Sequence, residues 1–339
     1  MKDWIDIWQM STEYKKQNKE SRDNTLRGEL LEEKTLIAEI KRLRKEKNAI
    51  ILAHYYQSKE IQDIADYLGD SLGLAQKAAA TKADIIVFAG VHFMAETAKI
   101  LSPEKKVLLP ESEAGCSLAD SCPPESFKDF LEKHPNHKVV TYVNTPASIK
   151  ALSDITCTST NAENVIKSIP KNEKIIFAPD KNLGNYLSAK TGREMVLWDG
   201  ACHVHEQFSL RKILEYKEQN PEAKLIAHPE CEEPVRIAAD FVGSTSALLN
   251  FVKTDDSEQY IVATDSGILH QMQKHRPEKR FIPAPGIDST CGCSDCEFMK
   301  LNTLQKIHGC LKSETPEINL PEELVANARL PIERMLELS

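Results

Sequence analysis

No stretch of about eighteen consecutive apolar residues occurs in the 339-residue chain, so no segment is expected to cross a membrane as a helix. The opening MKDWIDIWQMSTEYKK has neither the basic start nor the apolar core of a secretory signal, and a cytoplasmic protein is expected. Positive charge is short as well. Against 51 acidic residues stand 43 Lys and Arg, a formal charge of -8, which argues against a general nucleic-acid or anionic-membrane surface. Neither partner is expected, and a small substrate is. Low-complexity tracts and flexible linkers are also missing, so the parts of the chain should pack together rather than move as beads.

What is present is a repeat. Three apolar runs of strand type, NAIILAH (48–54), HKVVTYVN (137–144) and AKLIAHPE (223–230), open three similar units. In each, an aspartate stands twelve residues after an anchor: His54 to Asp66, Tyr142 to Asp154, His228 to Asp240. Five residues further comes a hydroxyl, Ser71, Ser159 or Thr245. A helical stretch follows, then a second run (IIVFAG, IIFAPD, IVATDS) and a third (VLLPES, MVLWDG, FIPAPG). After the third run stand Cys116, Cys202 and the group Cys291, Cys293, Cys296. A period of 86 to 88 residues between anchors predicts three small units that share stability by packing on one another.

Within each unit the expected order is strand, helix, strand, helix, strand, which implies a short parallel sheet flanked by helices. The fold class is therefore α/β, with three pseudo-threefold-related repeats. The expected division is a helical arm over 1–35, repeats over 36–126, 127–212 and 213–311, and a helical tail over 312–339. Leu31, Leu36, Ile37, Ile40 and Leu43 share one face of a leading helix. In the tail, Pro321 lies near a helix start and Pro331 is expected to break or kink that helix.

Ligands of open α/β units bind beyond the carboxyl ends of strands, where helix N-termini offer free amides. Ser71, Ser159 and Thr245 sit near such starts and each could simply cap its helix. Three helix ends converging on one cavity would instead bind a substrate with several anionic groups. His54, Tyr56, Tyr142, Asn144, His228 and Glu230 stand at the strand ends. Glu230, two residues after His228, is expected on the same side of an extended chain, where the pair could move protons. His92, His134, His137 and His275 are read as structural.

Nine cysteines, an odd number, fit metal or redox chemistry better than a disulfide framework. CGCSDC (291–296) could form a zinc clip completed by Cys310 or His308. One cysteine per repeat could alternatively hold three corners of a 4Fe-4S cluster, leaving one iron open to act as a Lewis acid.

Eight segments carry a resemblance: AHYYQ (53–57), GDSLGLA (69–75), AGC (114–116), YVNT (142–145), WDGACHVHE (198–206), HPEC (228–231), GSTS (243–246) and CEFMKLNTL (296–304). Together, and in this order, they resemble the quinolinate synthase family, from about residue 36 to 311. The resemblance implies three α/β domains in a triangle around a central 4Fe-4S cluster. It also implies an enzyme, a transferase that condenses iminoaspartate with dihydroxyacetone phosphate to quinolinate, phosphate and two waters in NAD biosynthesis.

By the same resemblance Cys116, Cys202 and Cys296 would be the cluster ligands, leaving Cys291 and Cys293 as non-ligands. His54, Ser71, Tyr142, Asn144, Ser159, His228, Glu230 and Thr245 would bind carboxylates or phosphate. Glu230, Tyr56 and His54 would be catalytic, Glu230 and Tyr56 as acid-base groups. L-aspartate oxidase or aspartate dehydrogenase would be the functional partner that supplies iminoaspartate. An iron-sulfur sensor and a zinc-bound binding module are the rival classes.

Overall fold

A computed structural model describes residues 31–287 and 295–339. Three four-stranded parallel sheets form. The first contains β1 (Ala49–His54), β2 (Tyr67–Gly69), β3 (Ile85–Ala89) and β4 (Lys106–Leu108). The second contains β5 (His137–Tyr142), β6 (Ile155–Cys157), β7 (Lys174–Ala178) and β8 (Met195–Leu197). The third contains β9 (Lys224–Ala227), β10 (Phe241–Val242), β11 (Gln259–Ala263) and β12 (Arg280–Pro283). The order is the same in each: β2-β1-β3-β4, β6-β5-β7-β8 and β10-β9-β11-β12. The direction of sheet growth reverses at the first strand of each unit, and the crevice beyond its carboxyl end is where such sheets bind ligands.

The sequence pattern predicts three strands per unit; the fourth is the edge strand β2, β6 or β10. These are only two or three residues long, too short for a periodic signal, and the repeated aspartate creates them. Asp66 accepts from the Ile51 amide at 2.8 Å, Asp154 from Val139 at 2.8 Å and Asp240 from Leu225 at 2.7 Å. Each aspartate amide returns a bond to the same residue's carbonyl. That residue stands three before the anchor in every repeat. The aspartate is thus a fastener that sets the register of edge strand against anchor strand.

The central strands are buried through their apolar runs, β3 along its whole length, as expected for a parallel sheet covered on both faces. One core spans the first two repeats, joining Leu74, Phe88 and Ala98 to Val140, Phe177 and Leu187. The leading helix, over 31–46, buries Ile40 and Leu43 against β1, β3 and the helix Leu304–Ser313. Leu31, expected on that face, is 68% exposed.

The tail forms one helix, Glu322–Glu337, which begins after Pro321 and runs through Pro331 without a break. An interior proline costs about 3 kcal/mol in an isolated helix. Here Ala328, Ile332 and Met335 are buried against Leu72, Ile100 and Ala147, and the Pro331 carbonyl accepts from Thr156 Oγ1 at 3.2 Å. Packing outweighs the local penalty. Among the described residues no helix is long and apolar enough to cross a membrane.

Candidate active site

The carboxyl ends of the strands meet around one cavity of about 70 Å³. It is lined by His54, Tyr56, Ser71, Tyr142, Asn144, Ser159, His228, Glu230, Thr245, Cys116, Cys202 and Cys296, so every site residue expected from the sequence is brought there. His92, His134, His137 and His275 are not among its walls. Cys291 and Cys293 lie outside the described residues. Cys310 is buried in the core beneath the first sheet, so it does not line the cavity.

His54 and His228 are held alike. The Tyr56 amide donates to His54 Nδ1 at 3.2 Å and the Glu230 amide to His228 Nδ1 at 3.4 Å. Burial lowers His54 to about 4 and His228 to about 3, so both rings are neutral at pH 7 and carry their proton on Nε2. His228 Nε2 donates to Ser159 Oγ at 3.2 Å. Glu230 reaches the cavity by a turn rather than by the expected extended alternation, because β9 ends at Ala227 and the amide bond to His228 folds the chain back.

The repeated hydroxyls do not cap their helices. Asp70 caps Ser71–Ala80 through the Gly73 amide, and Ser244 caps Thr245–Thr254 through the Ala247 amide. With the cap supplied one residue earlier, Ser71 and Thr245 become first helical residues on the cavity wall. Ser159 lies before Asn161, the cap position of Ala162–Ser168. Asn144 Oδ1 is buried without a hydrogen-bond partner among the described residues, an acceptor left for a ligand.

A file of closely spaced polar groups runs between the two expected acid-base groups. Tyr142 Oη donates to Glu230 Oε1 at 2.5 Å, and Glu230 Oε2 lies 3.0 Å from His205 Nδ1. His205 Nε2 is 3.0 Å from Thr264 Oγ1, which is 2.6 Å from the Tyr56 hydroxyl, itself 2.8 Å from Thr245 Oγ1. His205 Nδ1 has no hydrogen-bond partner among the described residues, so the step from Glu230 to His205 is a close approach and not an aligned hydrogen bond. Burial opposes the Glu230 charge, but His228, His205 and the bond from Tyr142 hold its carboxyl at about 2. Since His228 is neutral at pH 7, the bond donated by Tyr142 is the firmest support for that charge. Burial also pushes the Tyr56 phenol well above its ordinary value, so Tyr56 keeps its proton.

Cys116, Cys202 and Cys296 occupy one structural position: each precedes a single-turn helix, Ser117–Asp120, His203–Glu206 or Glu297–Lys300. All three are free thiols, with backbone amides of the following turn directed at sulfur. Burial pushes Cys116 up to about 12 and Cys296 to about 11, so a bound cation would be needed to make them thiolates. Three equivalent soft donors on one cavity fit three corners of an iron-sulfur cluster. Ligand atoms of Cys202, His205 and Glu230 lie within 4.8 Å of one another, so the cysteine set adjoins this file of polar groups.

Sequence reasoning missed His205 and Thr264. A Cys-x-x-His spacing within WDGACHVHE could have pointed to His205, because three residues on a one-turn helix bring its ring back beside the cysteine. Thr264 has no such signal, since Gly90 and Pro179 hold the equivalent place after β3 and β7.

A family model described as Quinolinate synthetase A protein matches residues 38–337. The chain is 59% identical over 304 residues to a quinolinate synthase of Thermosynechococcus vestitus, covering 90% of this chain and 95% of that one. It is 60% identical to a Microcystis aeruginosa protein of the same name, with the same coverage. For the Chloroherpeton thalassium protein so named, the figures are 58%, 90% and 94%.

Proposed function

Because the chain belongs to the quinolinate synthetase A family, we propose that it is a quinolinate synthase. It condenses iminoaspartate with dihydroxyacetone phosphate and releases phosphate and two waters. The observation that carries this reading is the file of buried polar groups from Glu230 to Tyr56 on the wall of a cavity that also holds three equivalent cysteines.

Both substrates are anions. Neutral His54 and His228 donate from Nε2, and Ser71, Ser159, Thr245, Tyr142 and Asn144 complete the polar surface for carboxylates and phosphate. Neutral donors suit that task, since they need no buried positive charge of their own. Glu230, ionised, accepts and returns protons as the condensed intermediate isomerises. Tyr56, protonated, gives its proton to an oxygen lost during cyclisation and dehydration. His205 and Thr264 stand between Glu230 and Tyr56, and Thr264 holds the Tyr56 hydroxyl in place. Burial of these groups also keeps water from iminoaspartate, which hydrolyses readily. A 4Fe-4S cluster on Cys116, Cys202 and Cys296 would supply a Lewis-acid iron for the departing hydroxyl.

The test is quinolinate formation from the two substrates by protein reconstituted without oxygen, with iron and sulfide counted on the same sample. Product made only by protein with about four irons per chain supports the synthase. Four irons without product would favour a sensor, and zinc without product a binding module.

A further inference from the structure

We infer that Asp265 is a positioning residue that seats Cys296 and ties it to Tyr56. The inference rests on the synthase reading for the importance of Cys296, but its geometry stands apart from it. The turn after β11, residues 264–267, makes a different attachment with each residue. Thr264 Oγ1 meets Tyr56 and His205. Asp265 Oδ2 accepts from the Cys296 amide at 2.6 Å while Oδ1 accepts from the Gly267 amide at 2.8 Å. Ser266 Oγ donates to Asp295 Oδ1. Gly267 lies so close to Tyr56 that a Cβ would fall 2.7 Å from the Tyr56 Cα.

The one-turn helix led by Cys296 is therefore held at both ends. Asp265 grips its first amide. At the other end Lys300 Nζ donates to the Tyr56 carbonyl at 2.7 Å and lies 3.7 Å from Asp265 Oδ1. Asp265 is 1% exposed and both its oxygens are engaged, so it holds rather than shuttles. Displacing Cys296 must displace Tyr56, and the reverse.

The second repeat has a looser version of this tie and the first lacks it. After β7 the matching residue, Asp180, uses Oδ1 to cap its own helix through Leu183 at 2.8 Å, and the Cys202 amide is directed at the same carboxylate, but Oδ2 has no hydrogen-bond partner among the described residues. After β3 the place is taken by Val91, and the next amide, His92, donates to the Ala114 carbonyl at 2.7 Å. What sets Cys296 apart from Cys202 is that both oxygens of its carboxylate are engaged and that Lys300 joins its helix to Tyr56.

Asp265→Asn is the informative variant. An amide keeps one acceptor but turns the second oxygen into a donor that faces an amide hydrogen, so one of the two bonds is lost. In metal-free protein held reduced, iodoacetamide labelling with peptide mass spectrometry gives a rate for each cysteine. Cys296 should label at least about tenfold faster in Asp265→Asn, with Cys116 and Cys202 within about twofold of the unaltered protein. After reconstitution, iron should pass to a ferrous chelator about tenfold faster as well. An unchanged Cys296 rate, or an equal rise at all three cysteines, would overturn the inference. If Asp265→Asn does not fold, Lys300→Met removes the other tie and is read in the same way. The labelling needs no turnover, so a protein that made no quinolinate would defeat the synthase reading and leave this result standing.

Discussion

Tyr142 and Glu230 lie 88 residues apart in different repeats, yet the phenol donates to the buried carboxylate at 2.5 Å. Each is about as buried as a core residue, Tyr142 at 4% and Glu230 at 3% exposure. An ionised group so placed depends on its donors, and here the side-chain donor comes from Tyr142 of the second repeat.

Glu230→Gln should therefore keep the cysteine set intact while stopping proton transfer. A loss of turnover on the order of 100- to 10,000-fold is expected for removal of a general acid-base group. Quinolinate release, measured beside iron content, checks it. Normal turnover at full iron content would remove Glu230 from the chemistry.

The neutral histidines predict a pH-dependent stability. A histidine titrates near 6.5 when unfolded, whereas burial holds His54 at about 4 and His228 at about 3. The unfolded chain then binds more protons below about pH 6.5, so stability is complete above that value and is lost as pH falls toward the folded values. The two together should cost about 4 kcal/mol between pH 7 and pH 5. Urea midpoints of metal-free protein at the two pH values read this, and His54→Asn or His228→Asn should each remove roughly half of the slope. Glu230, held at about 2, adds its own loss only below the ordinary carboxylate range.

Among the cysteines, Ser at position 116, 202 or 296 should abolish cluster absorbance and product together. Cys122, Cys157, Cys231 and Cys310 are buried in cores, so Ser there should cost about 1–3 kcal/mol for a buried hydroxyl but leave the absorbance in place. Visible spectra and thermal midpoints of the variants separate the two groups. A full cluster in Cys202→Ser would end the ligand assignment.

Gly267→Ala places a Cβ 2.7 Å from Tyr56 Cα and 2.8 Å from its carbonyl oxygen. Backbone cannot yield as a side-chain end can, so a cost of about 1–3 kcal/mol is expected, with turnover reduced more than substrate binding because Tyr56 moves. Steady-state kinetics show it as a fall in kcat at similar KM.

Much of this was legible in the sequence because the fold repeats. A spacing that recurs three times, anchor to aspartate to hydroxyl, survives changes of residue type, and it brought His54, Tyr142, His228, Ser71, Ser159 and Thr245 to one place. Taken singly, each hydroxyl could have been a cap; their repetition argued for a shared cavity instead, and Asp70 and Ser244 one residue earlier supply the caps. The edge strands were too short to read. His205 and Thr264 escaped because they break the pattern: each does something that its counterparts in the other repeats do not.

The fasteners Asp66, Asp154 and Asp240 bind three residues before each anchor, toward the far end of the strands from the chemistry. Wear and work are thereby separated by a span of strand on the order of 10 Å. A lineage could redesign one end for heat, acid or a new neighbour and leave the other untouched. For the engineer it marks where a label or a fused domain can be attached without reaching the place where bonds are made.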